Sequence, residues 1–451
     1  IMEISIITSL AVLIGLIAGT FAGLIPGIGV FACLLMLYPL LDFFSGLDII
    51  LMYSTIFAVS QFVGSIPSTV FGIPGEASSL PAVREGHRLY KRGLGQFAIS
   101  SCAMGSAVGS IIACLLTLSL VPFLAYVFNF YNTTFQVGLL SVVLLIIALN
   151  SQNKLLITLP IMMLGYYMAA VGYNVVTFNT FSTFGIQSLE QGLPLYGVMF
   201  ALFVVPELLK ANKRMNKSDT SYNIKSKPIT EHFVNVITHK WSVIRGTVIG
   251  YFAGMIPGVS IVASSNVSYA IEKKIRGERY NQNGDIACLI SAETANNAGA
   301  FSVLIPLLVL GIPITGSEAL LYEYVAVKKY LLLGYELFLN SFILETVAIL
   351  IVFVNIIAVF IAWPLSKQIL WLYKVPTQFL YAFIGALGIF AVWFTGSQFG
   401  QETYYLLSTA LMLPLGYAFY KLDIDTLPLV FVFLIQNNLE AGLYRFYQLY
   451  T

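Results

Sequence analysis

The chain has 451 residues, 58% of them hydrophobic and 10% charged, with a net charge of +2. Soluble domains carry roughly 25% charged residues, so this composition, with a mean hydropathy of +0.86, excludes a soluble enzyme and describes an all-α polytopic membrane protein. Apolar runs long enough to cross a bilayer recur along the whole length and leave no room for a separate catalytic domain.

The first apolar run, residues 4–41, has an acidic rather than basic start and leads straight into further membrane segment. It therefore reads as a membrane element and not as a cleaved signal peptide. FAGLIPG at 21–27 interrupts it. Proline removes a backbone donor and glycine loosens the chain, so Pro26 and Gly27 predict the hinge of a helical hairpin rather than a simple crossing. Crossings are then expected at about 49–72, 94–122, 134–150, 154–176 and 191–209. The polar segment 210–240 reads as a cytoplasmic linker. A second hairpin over 241–271 carries FAGMIPG at 252–258, with Pro257 and Gly258 at its hinge. Further crossings follow at about 286–312, 335–363, 376–394, 401–420 and 426–448.

The two halves match. An offset of 231 (257 minus 26) superimposes Gly15, Gly19, Gly23, Pro26 and Gly27 on Gly246, Gly250, Gly254, Pro257 and Gly258. An offset of 239 (311 minus 72) aligns FGIPGEASS at 71–79 with LGIPITGSE at 310–318. The chain is thus an internal duplication: a first membrane repeat over 1–209, a linker over 210–240 and a second repeat over 241–451. The glycines spaced by four form a small-residue face for close helix packing.

Basic residues gather at Arg84, Arg88, Lys91 and Arg92, in the linker, at Lys273, Lys274, Arg276 and Arg279, and at Lys367 and Lys374. The positive-inside rule makes these regions cytoplasmic. The loops at 42–48, 177–190 and 395–402 lack Lys and Arg and face outward, while Lys328, Lys329 and Arg445 depart from the pattern. The loop after the first hairpin is short and acidic and its counterpart is basic, so the repeats read as inverted, with both termini external. A parallel repeat is the alternative. Inverted repeats with broken helices are a plan of secondary transporters.

Polar residues cluster at the two GIP motifs. Ser65, Ser68, Thr69, Ser78 and Ser79 lie beside the loosened backbone of Gly72, Pro74 and Gly75. In the second half Glu293, Asn296 and Asn297 share a helix face, followed by Gly311, Pro313, Thr315 and Ser317. Hydroxyls, amides and helix N-termini suit an anionic substrate, and carbonyl and carboxylate oxygens suit Na+ or H+. The substrate site is expected at Ser65, Ser68, Thr69, Gly72, Gly75, Ser78, Asn297, Gly311, Thr315 and Ser317, with Glu293, Asn296 and Asn297 for the coupling cation. Pro74 and Pro313 join the two hairpin hinges as break points. Glu76 beside GIPG and Glu345 in mid-span are further candidates, and Glu440 is expected to pair with Arg445.

The cysteines lie in apolar segments without CxxC spacing and the histidines in polar loops, so neither predicts a metal site or cofactor. The basic residues sort by membrane side and give no sign of nucleic-acid binding. HExxH, GxGD and paired histidines, which an intramembrane enzyme would need, do not occur. A channel gains nothing from two broken-helix motifs.

The order IPGIG, GIPGE, EGHRLYKRG, IPGV, AETANNA and LGIP with a trailing serine resembles the large membrane subunit of the tripartite tricarboxylate transporters. The likeness covers nearly the whole chain, including LPLVFVFLIQNNLEAGLYR near its end. It implies ion-driven uptake of a di- or tricarboxylate in the cell membrane of a prokaryote, with a small membrane subunit and an extracytoplasmic binding protein. A second copy of the chain is another candidate partner. LGIPITGS in place of the family's LGIPGS is a departure that bears on the substrate, and another organic anion carried without partner subunits is the alternative.

Overall fold

The computed structural model describes all residues except 1–5, 26–28, 129–131, 152, 175–178, 216–236, 257–260, 311–312, 328–340, 373–376 and 451. It is 85% helical. The first half contains α1 (Ile6–Leu24), α2 (Gly29–Leu41), α3 (Gly46–Val63) and α4 (Ser65–Phe71). A 3-10 turn (Ala77–Ser79) and a π-helical turn (Ala82–Gly86) lead to α5 (His87–Lys91), α6 (Gly95–Phe128), α7 (Thr133–Asn150) and α8 (Leu155–Ala170). A small antiparallel hairpin, β1 (Gly172–Asn174) and β2 (Asn179–Phe181), pairs Tyr173 with Thr180. After it come α9 (Leu195–Met199), a second π-helical turn (Phe200–Val204) and α10 (Val205–Met215).

The second half contains α11 (Lys240–Gly254), α12 (Ile261–Arg276), α13 (Ile286–Ser302), α14 (Leu304–Leu310) and α15 (Gly316–Val327). It continues with α16 (Ser341–Leu372), α17 (Thr377–Gln398), α18 (Glu402–Lys421) and α19 (Leu427–Tyr450). Among the described residues five helices are long and apolar enough to cross a membrane, or six if the bent α19 counts as one span. Residues Gly29–Leu41, Val137–Leu149 and Leu155–Ala170 are apolar but shorter. The chain is a multi-pass membrane protein. The expected crossing at 154–176 is corrected at its end: the helix stops at Ala170 and the chain turns into the β-hairpin, because Gly172, at φ +110°, adopts a backbone that no helix accepts.

Packing explains the glycine spacing. On α1 the glycines face α3, and a methyl group at Gly15, Gly19 or Gly23 would come within 2.8, 2.7 and 2.6 Å of the carbonyl oxygens of Met52, Ile56 and Ser60. On α11, Gly246, Gly250 and Gly254 meet the carbonyls of Ser291, Ala295 and Gly299 in the same way. The contacted residues differ by 239 in each case (291 minus 52, 295 minus 56, 299 minus 60), so the same helix pair is built twice. The opposite faces carry Leu10, Leu13, Ile17 and Phe21 on α1 and Trp241, Ile244, Val248 and Phe252 on α11, all exposed. Such helices pack through small residues and turn their large apolar side chains to lipid.

The halves also exchange contacts. Helix α2 packs on α15 of the other half, and α12 packs on the Ala77–Ser79 turn, which is the counterpart of the start of α15 (316 minus 77 is 239). Helices α6 and α16 lie against each other; α6 runs along α13 and α16 along α3. Helix α3 is buried from Asp48 to Val63, and α13 is buried from Ala287 to Ser302. These two helices form the centre of the molecule.

Candidate functional site

The first broken helix runs from α3 through Gly64 into α4. Pro67 has no amide to donate to the preceding turn. Two hydroxyls bond carbonyls on either side of Val63 at the break: Ser65 donates to Phe62 O at 2.8 Å and Ser68 to Gly64 O at 2.7 Å. Gly72, at φ +67°, ends α4, and the GIPG loop doubles back. Gly75 then reaches Gly64 and the end of α1 so closely that a methyl group there would lie 2.3 Å from Gly23 O. The Gly75 amide donates to Ser68 Oγ at 3.3 Å, which ties the loop to the break. The Glu76 carboxylate faces Gly29 at the start of α2, with Oε1 buried and unbonded. His87, in α5 beyond the end of this span, lies against Gly72 and bonds the Thr69 carbonyl through Nδ1 at 3.1 Å. Burial holds the His87 ring below the usual histidine range, against the pull of that carbonyl.

The second broken helix passes from α13 into α14. At its far side Thr315 and Glu318 form a reciprocal cap on α15: Glu318 N donates to Thr315 Oγ1, and Glu318 Oε2 accepts from the amides of Ile314 and Thr315. Ser317 bonds Tyr53 of α3 at 2.9 Å. Pro313 is buried. Gly311 and the hinge residues Pro26, Gly27, Pro257 and Gly258 lie outside the described residues.

The two halves meet at α3 and α13. Asn296 Nδ2 donates to Gln61 O at 3.3 Å, and Ser78 donates to Gln61 Oε1 at 2.7 Å. Asn297 Nδ2 donates to Ser106 Oγ of α6 at 2.7 Å and to Glu293 O at 3.2 Å. Around these bonds both carboxylate oxygens of Glu293 and the Oδ1 atoms of Asn296 and Asn297 are buried with no hydrogen-bond partner. Thr69 Oγ1, Ser79 Oγ and Thr294 Oγ1 are in the same state. A buried oxygen without a donor is costly in an apolar interior, so a group of them on one helix face is a place for a proton, a cation or a ligand. Among the described residues none of the ion pairs includes Glu76, Glu293 or Glu318. The site is rich in acceptors and carries no fixed positive charge of its own.

Gln61, Ser106, Tyr53 and Glu318 were not among the expected site residues. A lone glutamine inside an apolar run and the T-x-x-E spacing of Thr315 and Glu318 are signals that point to two of them. Glu345 lies exposed on α16. Glu440 accepts from Asn174 at 2.7 Å and from Gln436, which replaces the expected pairing with Arg445; the β-hairpin brings Asn174 within reach.

The tripartite tricarboxylate transporter TctA family matches residues 10–431. A protein of Agrobacterium vitis, described as an uncharacterized 52.8 kDa protein in TAR-I ttuC' 3'region, is 30% identical over 305 residues, 66% of this chain and 60% of that protein. An uncharacterized protein of Methanocaldococcus jannaschii is 25% identical over 207 residues, 44% of this chain and 52% of its own length. The chain thus spans 60% and 52% of the curated relatives it matches. No solved structure matches it.

Proposed function

The chain belongs to the tripartite tricarboxylate transporter TctA family, and from that membership we propose that it is the large membrane subunit of an ion-coupled carrier for a small di- or tricarboxylate. The observation that carries the reading is the group of unbonded oxygens on Glu293, Asn296 and Asn297, beside the bonds that tie Asn296 to Gln61 of α3 and Asn297 to Ser106 of α6. Such a set of hard oxygens suits Na+ or a proton. A cation held there offsets the charge of an incoming carboxylate, since among the described residues no arginine or lysine pairs with Glu76, Glu293 or Glu318. Substrate oxygens are then held by Ser78, Thr69, the Asn297 amide and the backbone of Gly72 to Gly75. Ser65, Ser68, Thr315 and Ser317 hold the loops that border the site.

The exchange of contacts between the halves, α2 on α15 and α12 on the Ala77–Ser79 turn, supports a two-fold relation between them, and the sorting of the basic residues supports an axis in the membrane plane. On this reading the repeats are inverted and the site opens alternately to the two sides. In the cell membrane of a prokaryote the carrier works with a small membrane subunit and an extracytoplasmic binding protein.

Thermal shift of purified protein against di- and tricarboxylates, in Na+ and in choline, tests the reading, because a ligand that binds the folded state raises its apparent stability. At least one acid should stabilise the wild type and Asn297→Ala should lose the shift while remaining folded. Counterflow in proteoliposomes should exchange labelled for unlabelled acid, as a carrier does and a channel does not. Silence across the acid panel with folded protein would overturn the substrate class.

A further inference from the structure

The offsets that relate the two halves also relate two contacts far from the central oxygens. Tyr38 plus 231 is Tyr269, and Glu85 plus 239 is Tyr324. Tyr269 on α12 donates to Glu85 at 2.7 Å, and Tyr38 on α2 packs at a tilt of 39° against Tyr324 of α15, with ring centroids 4.9 Å apart. Both contacts join the hairpin helix of one half to the segment after the break in the other. Their chemistry differs. Glu85 is fully buried in the π-helical turn; Oε1 accepts from Tyr269 and Tyr280, each at 2.7 Å, and Oε2 accepts from the Asp285 amide at 2.8 Å. Arg88 lies 3.9 Å from Glu85, and Lys273 sits over the Tyr280 ring at 4.4 Å. At the other contact Tyr196 completes a buried trio of rings, 4.3 Å from Tyr38 and 5.6 Å from Tyr324.

We propose that these two contacts are paired gates: the Glu85–Tyr269–Tyr280 cluster closes the cytoplasmic path to the central oxygens, and the Tyr38–Tyr196–Tyr324 ring cluster closes the outer one. The assignment rests on the alternating-access reading above and on the side of the basic loops. It follows from position, since a contact between halves that move against each other must part when the site opens. It also follows from chemistry. Three charge-assisted hydrogen bonds on one carboxylate separate together and at greater cost than a trio of packed phenol rings, two of whose three pairs are tilted. The cytoplasmic gate is therefore the firmer one, and the resting carrier opens first to the outside.

The test uses a single cysteine at the central site, Ser78→Cys, in protein whose native cysteines are replaced, with an impermeant thiol reagent applied to each face of membrane vesicles. Glu85→Gln removes the charge and one of the two acceptor oxygens, so the three bonds cannot all be kept as they are, and it should raise labelling from the cytoplasmic face by about tenfold or more, the scale of losing hydrogen bonds to a charged group. Labelling from the outer face should not rise. Tyr269→Phe combined with Tyr280→Phe keeps both rings and should act in the same direction. Tyr38→Ala should raise labelling from the outer face only. A rise from both faces together, a rise from the same face for Glu85→Gln and Tyr38→Ala, or no change in any variant at normal folding would each overturn the assignment. Labelling needs no substrate, so failure of carboxylate uptake would remove the transport reading without altering this result.

Discussion

Ser68 and Asn297 are both polar, both buried and both placed on a broken helix, and they hold different things. Ser68 bonds only its own neighbourhood, Gly64 O and Gly75 N. Removing its hydroxyl leaves the Gly75 amide without that acceptor, so Ser68→Ala should lower stability by about 1–3 kcal/mol, read as a fall in Tm, while uptake per folded molecule is kept. Unchanged Tm with lost uptake would instead put the hydroxyl on the substrate. Asn297 uses its amide nitrogen on Ser106 and leaves its oxygen unbonded. Sequence distinguishes the two poorly. It displays the kind of group each residue carries, and polar side chains in apolar spans stand out for that reason, but a bond to a local carbonyl and a bond to a ligand look alike until the backbone is folded. Gln61, Ser106 and Glu85 went unread because their partners lie 17 to 235 residues away along the chain.

Helices were more legible than bonds. Glycine spaced by four encodes a packing face directly, so the small-residue faces of α1 and α11 are legible in the sequence while their partners α3 and α13 are not. The GIP motifs mark a break near the end of each span, whereas the helices are interrupted earlier, at Gly64 and Val303. The β-hairpin is not legible, because its strands of three residues carry no period that a propensity argument can use. The packing face can be tested by volume. At Gly250 a Cβ would fall 2.2 Å from Ala295 O, and backbone cannot yield as a side-chain end can. Gly250→Val should therefore cost roughly 2–3 kcal/mol or abolish folding, at the upper end for overpacking. Gly385 on α17 has nothing within 4 Å of the same position. Gly385→Ala should leave Tm unchanged or raise it, since alanine restricts the unfolded chain. Equal effects at the two sites would mean that the glycine spacing does not set the packing.

At the scale of the molecule each half is completed by the other. Helix α2 finds its partner in α15, α12 finds its partner at Ala77–Ser79, and Glu85 is satisfied by Tyr269, Tyr280 and Asp285 of the second half. A chain cut within the polar segment 210–240 and expressed as two pieces should therefore reassemble, with a tag on one piece recovering the other in equal amount. Either piece expressed alone should fail to accumulate. Accumulation of a folded single half would mean that the exchanged contacts are not what holds the repeats together.

The duplication repeats the frame and not the chemistry. Glu293, Asn296 and Asn297 align with Ser54, Phe57 and Ala58, so one copy of the central helix holds the acceptors and the other presents a mainly apolar wall.

Helix α6 has 34 residues and α16, packed against it, has 32. At 1.5 Å per residue each is close to 50 Å long, against a hydrocarbon layer of about 30 Å. Tilt alone cannot absorb that excess within the range that membrane helices adopt. The pair must emerge into the headgroups, and because it is rigid it meets a thicker or thinner bilayer by leaning. Both central helices lie against this strut, so the thickness of the surrounding lipid sets the angle at which the two halves face each other.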